Sequence, residues 1–188
     1  MNFYSPADAR VYLFDQVHSE SLRKHCLTVG QVMRWFALEY WKLAEAEANT
    51  WEVCGILHDA DYEKHPTTDP VSGHPFVGVA ALKALGCPQE ILDSILGHAT
   101  YTNTARITPM ARTLFAVDEL SGFVTACTLV RPDKSVASLE VSSVTKKLKN
   151  KEFAKGCNRE DILLGAQEIG KELPALIELV ISAMRAGS

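Results

Sequence analysis

Apolar residues recur along this chain at intervals of three and four, the period of a helix with one buried face, and no alternating run is long enough for a sheet. Ser5-Pro6 pairs a capping hydroxyl with proline at the first helical position, which predicts a short helix towards His18. A long helix is expected from about Glu20 to Lys42. Its inward stripe is Leu22, His25, Val29, Val32, Phe36 and Tyr40, so His25 points into the protein. Asn49-Thr50 is read as the cap of a third helix that ends at His58-Asp59. The stretch from Tyr62 to Gly73, rich in proline, threonine, aspartate and glycine, reads as a loop.

Pro75 and Pro88 each mark the first residue of a further helix. That places His74 at a helix start, and His98 at an inner helix end, after Ile91, Ile95 and Gly97. Thr108-Pro109 opens the next helix, whose inward stripe of Leu114, Val117, Asp118, Ser121 and Thr125 carries a carboxylate. From about Val136 to Arg185 the pattern stays helical, with breaks at Gly156-Cys157-Asn158 and Leu173-Pro174. The expected fold is all-α. One domain covers 1–188, with the motif-bearing core at about 20–135 and the helices of 136–188 packed on it.

Composition fits a globular chain: 188 residues, 47% apolar and 22% charged, enough to bury a sizeable core. The net charge of -4 argues against general nucleic-acid binding. No apolar stretch is long enough to span a bilayer, and the first residues lack a signal-peptide pattern. Five scattered cysteines without a C-x-x-C pair read as reduced thiols, so a cytoplasmic protein without membrane association is expected. The basic run Lys146-Lys147-Leu148-Lys149-Asn150-Lys151 reads as a solvated helix face, and Trp35, Trp41 and Trp51 as core.

His58-Asp59 changes this ordinary picture. It ends the apolar segment Trp51–Leu57, where ionisable groups are costly unless paired or bound to a cation. Imidazole and carboxylate together suit iron, manganese or zinc. Three further histidines and an aspartate complete the order His25, His58-Asp59, His74, His98, Asp118, while His18 and His65 fall outside it and read as surface or loop residues.

This order resembles the HD superfamily, named for its His-Asp doublet: metal-dependent phosphohydrolases on an all-helical core. The resemblance runs from His25 to Pro132 and implies that His25, His58, Asp59 and Asp118 are metal ligands. In the dinuclear branches two more histidines fall between the doublet and the last aspartate. By that resemblance His74 and His98 hold a second ion and Asp59 bridges the pair. The implied cofactor is a divalent metal, two ions of iron or manganese, with zinc, nickel or magnesium as alternatives. The loop after the doublet often carries proton-transfer or supporting residues in HD enzymes, which makes Asp61 and Lys64 candidates for catalysis beside Asp59.

One branch, the cyclic-dinucleotide phosphodiesterases, has a lysine three positions after the doublet aspartate and a Gly-Tyr-Pro signature. Here that position is Tyr62 and the tripeptide is absent, which argues against such a substrate. Arg131-Pro132 resembles an Arg-Pro of the same branch, and Arg131 is a candidate phosphate clamp. The implied activity is hydrolysis of a small phosphate ester or nucleotide-like phosphate by a hydroxide activated at the metal site. Two alternatives remain. Some HD-fold proteins use the same six ligands for a mixed-valent di-iron oxygenase, and a non-catalytic signalling module would keep the fold while losing ligands.

Overall fold

The computed structural model describes residues 2–187. Among them are nine α-helices and no strand. Helix α1 (Pro6–Gln16) starts as expected, with the Ser5 hydroxyl accepting the Asp8 N–H at 3.3 Å. Helix α2 (Glu20–Trp35) is capped by Ser19 and continues as a single π-helical turn, Phe36–Tyr40, before the chain reverses at Lys42 in a left-handed conformation. The expected helix to Lys42 therefore ends as a wider turn, which carries the Trp41 indole N–H to the Thr113 hydroxyl at 3.0 Å.

Helix α3 (Glu45–Leu57) begins four residues before the expected cap. The Glu47 carboxylate accepts the Ala44 N–H at 3.3 Å, and Glu45 and Glu47 place negative charge in the first turn, where the helix dipole favours it. Asn49 and Thr50 are helical instead. Asn49 accepts from the Arg34 guanidinium at 2.6 Å, and the Thr50 hydroxyl donates to the Ala46 carbonyl at 3.2 Å. The segment from Tyr62 to Gly73 is a loop, pinned by the Asp69 carboxylate, which accepts the Val71 and Ser72 N–H groups. Glycine is needed at 73, because a Cβ there would lie 2.2 Å from the Thr67 carbonyl oxygen.

Helices α4 (Phe76–Ala84) and α5 (Gln89–Gly97) start one residue after Pro75 and Pro88, within the ordinary ambiguity of a helix end. Helix α6 (Pro109–Leu129) is the long central element; the Thr108 hydroxyl caps it by accepting the Ala111 N–H at 3.1 Å. Then come α7 (Val141–Leu148), α8 (Arg159–Glu168) and α9 (Leu173–Ala186). Residues 136–140 form turns rather than the start of a helix. Asn158 caps α8 by accepting the Glu160 N–H at 3.0 Å.

Two close helix contacts set the frame. At Gly55 a Cβ would lie 2.7 Å from the Gly30 Cα, so α2 and α3 touch backbone to backbone. At Gly165 a Cβ would lie 2.7 Å from the Ala116 Cα, so α8 sits equally tightly on α6. Around them Val29, Met33, Phe36, Ile56, Leu114, Val117, Phe123 and Ile177 make a buried apolar core. The glycine contact between α2 and α3 brings His25 and His58, from different helices, to the same end of that core.

Candidate metal centre

Six side chains meet where the inner ends of these helices converge. His25 comes from α2, His58 and Asp59 from the end of α3, His74 from the residue pair before α4, His98 from the end of α5 and Asp118 from the middle of α6. His58, His74 and His98 are buried; His25, Asp59 and Asp118 are half-buried. They form two groups, His25 with His58 and Asp118, and His74 with His98 and Asp59. In the first, Asp118 Oδ1 lies 2.9 Å from His25 Nε2 and 3.3 Å from His58 Nε2. In the second, Asp59 Oδ1 lies 3.2 Å from His74 Nε2 and 3.5 Å from His98 Nε2. The other oxygen of the same carboxylate, Asp59 Oδ2, lies 3.5 Å from His58 Nε2 and 3.9 Å from His25 Nε2.

Hydrogen bonds at Nδ1 decide which nitrogen of three of the rings faces inward. His58 Nδ1–H donates to the Gly55 carbonyl at 2.7 Å, and His98 Nδ1–H donates to the Ile95 carbonyl. His74 Nδ1–H donates to Asp61 Oδ1 at 2.6 Å. With those protons committed, the neutral rings turn their Nε2 lone pairs to the centre. His74 Nε2 and His98 Nε2 are then two acceptors only 3.1 Å apart, and His58 Nε2 is fully buried without a hydrogen-bond partner among the described residues. Lone pairs and carboxylate oxygens crowded in this way repel one another unless a cation lies between them.

The electrostatics agree. Burial by itself would push His58 down, but the charges of Asp59 and Asp118 outweigh it and raise the ring to about 10. Burial would raise both carboxyls, and the positive charge this draws onto His58 instead holds Asp59 and Asp118 below the usual carboxylate range. Two buried carboxylates pull a proton onto His58. A divalent cation satisfies the same pair and the histidine lone pairs together, so the donor set fits such an ion.

The family model for the HD domain matches residues 22–122, more than half of the chain. The chain belongs to the HD-domain family. No curated protein and no solved structure matches it. HD domains bind divalent metals, and the family consists generally of metal-dependent hydrolases on an all-helical fold. The matched segment of this HD domain holds all six converging residues, so the same stretch supplies both the fold and the candidate ligands.

Other residues singled out in the sequence fall elsewhere. Asp61 is buried, but it faces the outer edge of His74 and takes no part in the cluster itself. Its Oδ1 accepts from His74 and its Oδ2 accepts the Gly78 N–H at 2.7 Å. It backs the His74 ring and does not line the cleft over the cluster. Lys64 is exposed and donates to the Gln16 side chain of α1 at 3.0 Å, because the turn after Asp61 carries it away from the cluster. Arg131 is also not brought to the site. It follows α6, whose last residue lies about 16 Å along the axis from Asp118, and its guanidinium is held by Asp133 at 3.1 Å and Ser138 at 2.7 Å.

A cleft of about 460 Å³ opens over the cluster, walled by Tyr62, Thr100, Tyr101, Glu119, Asn158 and Asp161. The Tyr101 hydroxyl donates to the His74 carbonyl at 2.9 Å, and the Tyr62 ring stands edge-on to His74 with centroids 5.2 Å apart. Burial, with the neighbouring Asp118 charge, pushes Glu119 up to about 7, and its carboxylate accepts the Asn158 N–H at 3.1 Å. Glu119 had a legible signal, adjacency to Asp118. Asn158 and Asp161 had none, since the docking of α8 on α6 alone brings them here. A larger open groove, about 1030 Å³, lies between α2 and the ends of α6 and α9 and contains none of the six.

Proposed function

We propose that this HD domain is a metal-dependent hydrolase of a small phosphate ester or nucleotide-like phosphate, working at a two-ion centre held by His25, His58, Asp59, His74, His98 and Asp118. One observation carries the reading: the two oxygens of the Asp59 carboxylate face two different histidine pairs, the arrangement a bridging ligand requires. His25, His58 and Asp118 would hold one ion, His74 and His98 the other. Imidazole and carboxylate donors favour iron or manganese, with zinc, nickel or magnesium compatible. Such a pair, when bound, would lower the pKa of water and polarise a phosphoryl oxygen, which is what ester hydrolysis needs.

The chain's own residues prepare that chemistry. The Gly55 and Ile95 carbonyls and the Asp61 carboxylate lock three imidazoles with Nε2 inward. The Tyr101 hydroxyl secures the backbone at His74, and Asp59 sits half-buried at the floor of the cleft, where a substrate can reach it. The thiol of Cys157, which lines the same cleft, is pushed up to about 11 by burial and by Glu119, so it stays protonated and is a poor nucleophile.

The test is the metal content of protein purified without added metal, followed by phosphate release from a panel of esters and nucleotides with manganese or iron. Two ions per chain and phosphate release that a chelator stops are expected. A metal-replete protein that releases no phosphate from any ester, but consumes oxygen with an organic substrate and shows a coupled di-iron paramagnetic signal, overturns the hydrolytic assignment in favour of oxygenase chemistry.

A further inference from the structure

The walls of the cleft carry acidic groups and no basic ones beyond the clustered histidines, among the described residues. Beyond the six clustered residues, its charged lining groups are Glu119 and Asp161, and no lysine or arginine lines it among the described residues. Two arginines lie close behind the wall, Arg106 near Asp161 and Arg159 near Cys157. Both are occupied. Arg106 holds Glu168 with two of its nitrogens and the Gly97 carbonyl with the third, at 2.9 Å. Arg159 donates to the carbonyls of Leu148, Asn150, Phe153, Ala154 and Cys157, which staples the loop ahead of α8 and leaves the guanidinium turned from the cleft.

The floor is built for positive charge as well, since the buried, unpartnered His58 Nε2 points into the cluster beneath. Given the hydrolytic assignment, on which this inference rests, two dications held against Asp59 and Asp118 would leave a positive balance that attracts a phosphoryl dianion. Whatever the substrate carries beyond that phosphoryl group meets Glu119, Asp161 and two half-exposed tyrosine rings. Asp161 Oδ2 is taken by the Asn158 amide at 2.7 Å, whereas its Oδ1 has no protein donor among the described residues. Carboxylate oxygens and aromatic faces are the groups that receive an ammonium ion.

We propose that Glu119 and Asp161 select a phosphomonoester whose alcohol half carries a cationic ammonium group, and reject one whose alcohol half carries a second anion. The bond changes are those of hydrolysis: a water oxygen joins phosphorus, the ester P–O bond breaks, and the alcohol leaves with a proton. No redox partner is needed.

The test uses three esters of similar size that differ in terminal charge: 2-aminoethyl phosphate, 2-hydroxyethyl phosphate and phosphoglycolate. For the manganese-loaded protein kcat/KM should fall in that order by about tenfold per step. Calorimetric affinities for 3-aminopropylphosphonate, 3-hydroxypropylphosphonate and 2-carboxyethylphosphonate, which cannot be hydrolysed, should fall in the same order. Combining Glu119→Gln with Asp161→Asn should shrink the ratio between the ammonium and carboxylate ligands by at least about tenfold. Equal or reversed preference in the unaltered protein overturns the proposal, as does an unchanged ratio in a double variant with the original Tm. Charge-ordered phosphonate binding without hydrolysis of any ester sinks the hydrolytic reading and upholds the selection. Hydrolysis without charge order does the reverse.

Discussion

Replacing Asp61 with asparagine separates the two halves of the centre. The carboxylate takes two hydrogen bonds at once, from His74 Nδ1–H at 2.6 Å and from the Gly78 N–H at 2.7 Å. An amide of the same shape has one acceptor oxygen, so one of those donors must face an NH2 group. If the oxygen stays on Gly78, His74 loses its reason to keep the proton on Nδ1, and the tautomer with a protonated Nε2 cannot bind a metal. If it stays on His74, a nearly closed contact at Gly78 becomes repulsive, since the Asp61 carboxyl already packs within 2.7 Å of where a Gly78 Cβ would be. Loss of such a supporting hydrogen bond weakens metal binding by about 10–100-fold, about 1.4–2.8 kcal/mol. The loss should fall on the position built from His74 and His98, because among the described residues the Asp61 side chain has no hydrogen bond or ion pair to His25, His58 or Asp118. Calorimetric titration of the metal-free variant with manganese should therefore show one unchanged and one weakened binding event. Equal weakening of both, or of neither, would refute the positioning role.

Asp59→Ala should remove both metal-binding events and the proposed phosphate-ester hydrolysis together, whereas His65→Ala, whose ring bonds to the Ser72 carbonyl in the exposed loop, should leave metal content intact. Full occupancy in Asp59→Ala sinks the bridge. With His58 raised from 6.5 to about 10, its contribution to the stability of the metal-free protein is complete below about 6.5 and lost as pH rises through about 10. The depressed Asp59 and Asp118 contribute above about 3.8, a contribution lost as pH falls. Metal binding instead needs neutral imidazoles, so the rise in Tm caused by manganese should be larger at pH 8 than at pH 6, and a rise independent of pH would contradict the competition between metal and proton. Gly55→Ala sets a Cβ 2.7 Å from the Gly30 Cα, a backbone atom that cannot give way, and should cost about 1–3 kcal/mol or more, seen as a Tm lowered by several degrees. An unaltered Tm would mean that α2 and α3 are not so closely docked.

The helical period of the sequence was enough to place His25 and Asp118 on inward faces, and the caps at Ser5 and Thr108 were legible because a hydroxyl beside proline has a local meaning. The His58-Asp59 doublet stood out for a similarly local reason: an apolar segment tolerates such a pair only with a partner. Local rules misplaced the start of α3, where Glu47 outcompetes Asn49-Thr50 once Asn49 is engaged by Arg34 from another helix. The family resemblance, rather than any local rule, singled out Asp61, Lys64 and Arg131 as candidates. In space Asp61 turns to His74, Lys64 to α1 and Arg131 to Asp133. Periodicity fixes the face a residue occupies but says nothing about distances between elements far apart in sequence. Those distances come from the contacts of Gly30 with Gly55 and of Ala116 with Gly165. The first contact sets His25 beside His58. The second lays α8 over Glu119 and so decides that the cleft above Asp59 has an acidic wall.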